Sequence, residues 1–353
     1  MKVLFVFYVP SGGMETLNRS RCRALRHYGI EADCLYYEWG AGLQNASGFP
    51  LYVTCEDHEI QELLQERAYD VIVVTSDYLS FERFRRLGFT GKLVLEIQGY
   101  SSKEVAREQL TLGRPAILAH ASALLNPNTP YIAALFKELF AAIPQFHFNN
   151  CIDTASFTYQ KTDPPAAPAI AWIGRLEDNK NWREFLYLGH SLTYDYPQLE
   201  LWMFEDSNLS IASEREKFVE LTKRLGLEQR LKLLANVPNH DMRAFYSLVG
   251  DSGGFLCSTS KVEGAPLSVL EAMSCRCPVL ATNSDGTAST IIHNVTGKNY
   301  VQGDMVQAVR EARELMQNAK LRSRIRGRAQ AHVREGFNLD VYCHHFIQML
   351  KAI

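Results

Sequence analysis

Short apolar runs alternate with amphipathic stretches along the whole chain, the pattern of a parallel sheet covered by helices. In the first half the apolar runs fall at 2–9, 31–38, 70–76, 92–98, 116–120 and 146–150, each of strand length. Helical spacing appears between them, near 14–28, 57–68, 101–111 and 129–142. A Pro- and Ala-rich break follows at 154–168, ending in Lys161-Thr162-Asp163-Pro164-Pro165-Ala166-Ala167-Pro168, and reads as a hinge or linker. The pattern then restarts, with strands near 169–174, 199–204, 231–235, 253–257, 278–282 and 299–301. Two doubly wound α/β domains are the economical reading, 1–153 and 154–337, with a ligand in the crevice at the strand ends. Beyond Gly336-Phe337, a helical stretch at 338–353 is long enough to return and pack on the first domain.

Composition agrees with this picture and narrows it. A chain of 353 residues exceeds one ordinary core and suits two domains of roughly 150–180 residues. A hydrophobic share of 46% and a charged share of 22% are those of a globular protein. The net charge of −2 gives no global attraction to nucleic acid or to an anionic membrane. The start, Met1-Lys2-Val3-Leu4-Phe5-Val6-Phe7-Tyr8, is broken by Pro10 and Gly12-Gly13, short for a signal core with a cleavage site. No run approaches the ~20 apolar residues that span a bilayer. A cytoplasmic protein is expected. The eight cysteines, at 22, 34, 55, 151, 257, 275, 277 and 343, are scattered. Only Cys275-x-Cys277 is close, no second pair completes a metal site, and buried thiols in a reducing cytosol are expected.

The chemistry concentrates in Lys261-Val262-Glu263-Gly264-Ala265-Pro266-Leu267-Ser268-Val269-Leu270-Glu271-Ala272-Met273. Two glutamates flank a Gly-x-Pro turn and the start of an apolar helix. Pro266 suits the first helical turn, where its missing N–H costs nothing. The amides of Leu267 and Ser268 would then point out of the helix N-terminus, where phosphate binds readily. An ordinary buried helix with two solvated carboxylates fits this segment alone equally well. Three other strand ends carry candidates. Val9-Pro10-Ser11-Gly12-Gly13-Met14-Glu15 places glycines at a strand-to-helix turn, where backbone can approach an anion. Arg175 and Lys180 follow the strand at 169–174 and suit a diphosphate, although local pairing with Glu177 or Asp178 would also occupy them. Gln98-Gly99 ends another strand; Gln98 faces the crevice or simply caps the strand. Two near-misses are rejected. Gly40-Ala41-Gly42-Leu43-Gln44-Asn45 lacks the third glycine of a dinucleotide fingerprint, and Ala46-Ser47-Gly48-Phe49-Pro50 opens no helix. Ser11, Ser76 and Ser258 lack the Gly-x-Ser-x-Gly elbow of a hydrolase.

Read in order, these segments resemble the retaining GT-B glycosyltransferases of glycosyltransferase family 4 (glycosyl transferases group 1), over essentially the whole chain. The matching residues are Gly12-Gly13-Met14-Glu15, the interdomain Asn150-Cys151-Ile152-Asp153-Thr154-Ala155-Ser156-Phe157, Gly174-Arg175-Leu176 with Lys180, and the Glu263/Glu271 segment. Pro278-Val279-Leu280-Ala281-Thr282 and Asn294-Val295-Thr296-Gly297 follow in the family's order. The resemblance implies two Rossmann-like domains facing across a cleft, the first an acceptor domain and the second the nucleotide-sugar donor domain, and a retaining, hexosyltransferase-type enzyme. It assigns the diphosphate to Arg175 and Lys180, and the ribose hydroxyls to Glu271. Glu263 would lie beside the donor sugar, Gly264, Ala265, Pro266, Leu267 and Ser268 would contact the donor, and Gln98 would stand at the reacting centre. Gly12 and Gly13 would complete the donor contacts. No metal and no cofactor beyond the nucleotide-sugar are implied, with UDP favoured over GDP. The acceptor stays unassigned.

The chain departs from the family at four places. Gln98 replaces a frequent histidine, and an amide cannot act as a base. Asn150 stands where glycine is common. Met203-Phe204-Glu205-Asp206 replaces a glycine turn near the nucleobase. Asp285-Gly286-Thr287-Ala288-Ser289 ends in serine where the family has a further glutamate. The alternatives are a catalytically inactive GT-B binding or chaperone subunit and a nucleotide-sugar epimerase. For partners, no nucleic acid is expected. At most weak, salt-sensitive membrane contact is expected, through Arg19, Arg21, Arg23 and Arg26 and through Arg83-Phe84-Arg85-Arg86 with Phe81 and Phe89 nearby.

Overall fold

The computed structural model describes every residue except 46, 47, 162, 164, 207 and 208. Ala46 and Ser47 of the rejected fingerprint, and Thr162 and Pro164 of the Pro-rich break, thus lie outside the described residues. The chain divides into two compact units, Met1–Ile152 with Phe337–Ile353, and Asp153–Gly336.

The first unit begins with β1 (Lys2–Phe7), α1 (Gly12–His27), β2 (Glu31–Tyr36), β3 (Leu51–Val53), α2 (Asp57–Arg67), β4 (Val71–Thr75) and α3 (Ser80–Arg86). It continues with β5 (Lys92–Glu96), α4 (Lys103–Leu112), α5 (Arg114–His120), β6 (Ala123–Asn126), α6 (Pro130–Leu139) and β7 (Gln145–His147). The strands form one parallel sheet in the order β3-β2-β1-β4-β5-β6-β7. The Val71-Ile72-Val73-Val74-Thr75 run is buried at every position, as a central strand covered on both faces requires. Leu4, Ile72, Val74, Leu93 and Leu95 pack with Phe81, Phe84, Phe136 and Phe140 in one core.

One expectation fails here. The run at 116–120 is not a strand but lies in α5, and the strand is Ala123–Asn126. A run that short fits either element by length. Pro115 fixes the backbone for a helix start, and the segment buries only Ile117, while Ala123–Asn126 is buried throughout. In the basic-aromatic segment at 83–86 the rings are buried and the arginines partnered, while the Arg86 side chain stays exposed. Phe81, Phe84 and Phe89 are buried. Arg83 and Arg86 bind Asp57 at 2.7 and 3.0 Å, and Arg85 donates to the Phe89 and Gly91 carbonyls. On α1, Arg19 pairs with Glu15 and Arg26 with Asp33, each at 2.9 Å.

Arg21 lies on the apolar side of α1 with Leu17 and Leu25 and is fully buried. Its guanidinium forks onto Glu96 at 2.7 and 3.0 Å, reaches Asn18 Oδ1 at 2.6 Å, and lies 3.8 Å from the centre of the Phe5 ring. Thr75 donates to the same carboxylate at 2.8 Å. A last helix, returning to this unit and labelled α14 below, supplies the Tyr342 hydroxyl at 3.3 Å and places the Phe346 ring against Phe5, tilted by 44° with centroids 5.5 Å apart.

The second unit runs β8 (Ala169–Ile173), α7 (Trp182–Thr193), β9 (Glu200–Glu205), α8 (Ala212–Arg224), β10 (Leu231–Ala235), α9 (Met242–Asp251) and β11 (Phe255–Ser258). Then come α10 (Leu267–Ser274), β12 (Val279–Thr282), α11 (Asp285–Ala288), β13 (Lys298–Tyr300), α12 (Met305–Gln317) and α13 (Ala319–Gly336), before α14 (Leu339–Ala352) rejoins the first unit. The sheet order is β10-β9-β8-β11-β12-β13, again parallel. The segment expected as a hinge is in part docked on this unit. Tyr159 donates to Asp251 at 3.0 Å, and the Gln160 amide donates to Ser247 at 3.1 Å. Seven cysteines are buried as expected, but Cys55 is exposed; the Cys22 and Cys34 sulfurs lie 3.4 Å apart and unlinked. Among the described residues no helix is long and apolar enough to cross a membrane.

Removing one partner of a buried ion pair strands the other charge, at a cost of about 3–5 kcal/mol. Arg21→Met should lose that much in urea unfolding, and Arg21→Met with Glu96→Gln should recover part of it. A single variant as stable as the parent would show that the pair does not carry the first unit.

Candidate functional site

In the second unit the strand order reverses between β8 and β11, so the loops after those two strands diverge around a gap. Open α/β sheets bind ligands at that place. The two loops, 174–181 and 259–266, are joined mainly through Asn179. Its side chain accepts from the Val262 amide at 3.1 Å and donates to the Val262 carbonyl at 3.2 Å. Its own carbonyl accepts from the Lys261 amide at 2.8 Å. Below them, the buried Trp172 indole donates to Thr259 Oγ1 at 3.0 Å, and that hydroxyl donates to the Lys180 carbonyl at 2.8 Å. Gly174 lets the Trp172 ring and the Lys180 stem approach, since a methyl there would lie 2.9 Å from the ring. Asn181, at φ 49°, turns the chain into α7; asparagine tolerates that left-handed geometry.

This clasp brings Lys180 and Glu263 into direct contact, the ammonium donating to Oε1. Their side chains are 24% and 14% exposed, so the pair is reachable from solvent. Lys180 does not pair with Asp178, the local alternative; Lys261 takes both oxygens of Asp178 at 2.7 Å. Arg175 does pair locally, with Glu177 at 3.2 Å, and stays half exposed at the rim.

Pro266 is not in the first helical turn but caps it, at φ −76° and ψ 93°, with α10 starting at Leu267. Its carbonyl accepts from the amides of Val269 and Leu270 at 3.1 and 3.3 Å. The amides of Leu267 and Ser268 have no backbone acceptor among the described residues. They are the donors the sequence pointed to, with Pro266 one position earlier. Its ψ lies outside the helical range, and the residue ahead of a first turn is extended in just this way.

Glu271 is buried one turn along, and its carboxylate is oriented by two donors absent from the sequence reading. Asn239 Nδ2 reaches Oε1 at 3.1 Å and the Tyr246 hydroxyl reaches Oε2 at 2.8 Å. Burial and the neighbouring carboxylate push the Tyr246 hydroxyl well above its ordinary pKa, so it stays a donor. Glu205, at the end of β9, is held by Arg215 at 2.7 Å. The turn after β12 supports the loop from behind: the Gly286 amide donates to the Glu263 carbonyl at 2.9 Å. A methyl at Gly286 would overlap the carbonyl oxygens of Glu263 and Gly264. Ser289, the serine that ends Asp285-Gly286-Thr287-Ala288-Ser289, donates to the Gly286 carbonyl at 2.9 Å.

The remaining candidates belong to the first unit. Gly12 opens α1 at φ 54°, a left-handed position that suits glycine, with Gly13 next to it. Gln98 is fully engaged rather than a loose strand cap. Its amide donates to Glu96 at 3.0 Å and Asn150 at 3.2 Å, and accepts from Asn150 at 2.6 Å.

Residues 159–332, which lie within the second unit, match the family model Glycosyl transferases group 1. A sucrose synthase of Solanum tuberosum is 31% identical over 94 residues, 26% of this chain and 12% of that protein. An uncharacterized glycosyltransferase of Haemophilus influenzae is 28% identical over 151 residues, 39% of this chain and 41% of that protein. The matches thus span from 12% to 41% of those relatives' length. Among solved structures, Anabaena HepE in complex with UDP-glucose superposes with a TM-score of 0.84 at 18% identity, covering 100% of both chains. Sucrose-phosphate synthase from Thermosynechococcus elongatus gives 0.82 at 15% identity, covering 100% of this chain and 98% of that one. The likeness shows the fold: two Rossmann-like parallel-sheet domains of the GT-B kind.

Overpacking a tight backbone contact costs about 1–3 kcal/mol. Gly286→Ala should therefore lower the melting temperature, while Gly327→Ala, in α13 with open space around it, should raise it by relieving glycine's helix penalty. Equal melting temperatures for the two variants would contradict the close approach at Gly286.

Proposed function

We propose that this protein is a retaining, hexosyltransferase-type glycosyltransferase that draws its sugar from a nucleotide-diphosphate donor without a metal ion. The observation that carries the reading is the Lys180–Glu263 pair at the strand-order reversal, beside the first amides of α10. The group 1 domain supports it, and so does a structural neighbour that binds UDP-glucose, which also favours UDP over GDP. An ammonium has three donors, so Lys180 can hold Glu263 and a phosphate oxygen together. Arg175 swings from its exposed contact with Glu177 to the other phosphate. The helix N-terminus adds positive potential from the Leu267 and Ser268 amides. Two cations and a helix end then stabilise the charge of the leaving diphosphate, the work a metal does elsewhere. Glu271, oriented by Asn239 and Tyr246, accepts hydrogen bonds from the ribose hydroxyls.

In the transfer the bond from the anomeric carbon to the diphosphate oxygen breaks, and a bond from that carbon to the acceptor hydroxyl oxygen forms. Attack from the face the leaving group vacates retains the configuration. The hydroxyl proton passes to the departing phosphate oxygen, because the Gln98 amide cannot take it. Glu263 stabilises the positive charge that develops at the anomeric carbon. A cytosolic setting is part of the reading, supported by eight unpaired cysteines.

Glu263→Ala should abolish transfer with a modest loss of UDP-sugar binding, because its contact strengthens as charge develops. Glu271→Gln, which keeps the side chain's shape, should mainly raise the donor KM, by the ~1–3 kcal/mol of a charged hydrogen bond. Full activity in both variants would end the assignment. The donor itself is identified by a thermal-shift screen of UDP- and GDP-sugars, since a ligand that binds only the native state raises the melting temperature.

Lys180→Ala and Arg175→Ala should each cut transfer strongly, and EDTA should not. Activity lost to the chelator and restored by manganese would refute the metal-free route.

A further inference from the structure

At the other end of the second sheet, arginines gather around one tyrosine. Asp251 ends α9 and Arg276 follows α10, so both lie where β11 and β12 begin, away from the loops that hold Lys180 and Glu263. Arg276 adopts φ 60°, the left-handed geometry that closes a helix and that glycine ordinarily supplies. The bonds of that helix end are both present: the Cys277 amide donates to the Ala272 carbonyl at 2.8 Å and the Arg276 amide to Met273 at 3.1 Å. An arginine here holds backbone strain that glycine would avoid, and such an outlier points to a use for its side chain. The Arg276 guanidinium lies 5.2 Å from the centre of the Tyr159 ring, and that of Arg326 lies 5.8 Å from the same centre. Arg326 Nε also donates to the Arg276 carbonyl at 2.6 Å.

Positive charge is in surplus around this ring. Asp251 is the carboxylate bonded into the group, and both its oxygens are in use: Oδ1 accepts from Arg326 at 2.5 Å and Oδ2 from Tyr159 at 3.0 Å. Among the described residues no carboxylate pairs with Arg276, and its Nε is buried without an acceptor. Arg322, one turn before Arg326 on α13, brings a further guanidinium, which donates to the Leu315 and Met316 carbonyls at 2.8 and 2.7 Å. Burial, and after it the charge of Arg326, hold the Arg322 pKa below its ordinary value. The unused donors of Arg276, and Nη1 of Arg326, therefore suit an anion of more than one charge. A phosphomonoester approaches two negative charges at neutral pH and offers three acceptor oxygens to planar guanidinium forks. A simple carboxylate brings one charge and two oxygens, which is what Asp251 already supplies.

We propose that Arg276 and Arg326, braced by Tyr159, form a binding site for a phosphomonoester, separate from the Lys180–Glu263 loops and independent of the glycosyl-transfer reading. The full chain is titrated calorimetrically with glycerol 3-phosphate, inorganic phosphate and succinate, as the parent and as Lys180→Ala, which removes the cation of the other site. Glycerol 3-phosphate should bind both proteins alike, and succinate should bind neither. Arg276→Gly should keep the fold, since glycine suits φ 60°, and weaken the binding tenfold or more. Arg276→Lys, which keeps the charge and loses the fork, should fall between the two. Arg324→Ala, which removes an exposed arginine of α13, should leave the binding intact. Phosphatidylcholine vesicles with and without phosphatidic acid separate the sources of the phosphate. Co-sedimentation that needs phosphatidic acid and is lost in Arg276→Gly assigns the site to a lipid headgroup, and its absence assigns it to a soluble phosphomonoester. The proposal is overturned if neither glycerol 3-phosphate nor phosphatidic acid vesicles bind Lys180→Ala, if Arg276→Gly binds as the parent does, or if succinate binds as tightly as the phosphates. Binding lost in Lys180→Ala and kept in Arg276→Gly would place the phosphate at the donor loops, so this site would fall while the donor reading stands.

Discussion

Both units depend on one topological constraint. Parallel strands are joined by right-handed crossovers, so a chain that begins in the middle of a sheet winds outward on one side. It must then return to the centre to wind out on the other. The first unit does this from β1 through β2 to β3 before β4 takes its place beside β1, and the second unit repeats it from β8 with β11. The helices that follow the two central strands lie on opposite faces of the sheet, so their leading loops part and leave a gap. The strands themselves are buried and apolar and can carry little chemistry. Polar side chains therefore collect where the loops part, as Lys180 and Glu263 do in the second unit.

Two carboxylate–cation pairs show how burial decides whether an ion pair can exchange partners. Arg21 and Glu96 are fully out of water, and every oxygen of the carboxylate has a fixed donor. Such a pair cannot exchange partners, because either ion left alone would bear an uncompensated desolvation cost. It fixes α1, β4, β5 and α14 to one another. It also fixes Gln98, whose amide donates to Glu96 and leaves no free N–H for a ligand. Lys180 and Glu263 are chemically similar but open to solvent, so water can cover either ion when the pair loosens. A phosphate can therefore compete for Lys180 at small cost.

The sheets were legible because β-branched runs such as Val71–Thr75 are strands by composition, and the order of the Gly12, Arg175, Glu263 and Glu271 segments carried the fold resemblance. The run at 116–120 misled because its apolar content is compatible with both elements, and only Pro115 and the single buried face decide for a helix. The clasp was not legible. Asn179 binds Val262 across 83 residues, and Glu271 is oriented by Asn239 and Tyr246, 32 and 25 residues away. No local spacing encodes such partners. Gly286 left a fainter signal: a glycine just after an apolar strand indicates close backbone approach, but not what approaches. The arginines of α1 read as a charged face because charge is visible in a sequence and burial is not. Arg21 could be placed on the apolar side by helical spacing alone, yet its partner Glu96 lies 75 residues on.

The return of α14 makes the first unit discontinuous, and the physical consequence is specific. Phe5 packs on Phe346, Arg21 reaches Tyr342, and Tyr28 donates to Asp340 at 2.8 Å across 312 residues. These contacts close over the buried ion pair, so that pair is dry only once α14 is in place. During synthesis, Met1–Ile152 is made long before Phe337–Ile353, whereas Asp153–Gly336 is continuous and has all its own strands and helices. Contacts of such sequence separation form late, because closing a long loop costs entropy before the contact rewards it. The second unit, with the Lys180–Glu263 pair, can therefore assemble from its own residues. The first reaches its final burial only when the last helix has covered Arg21.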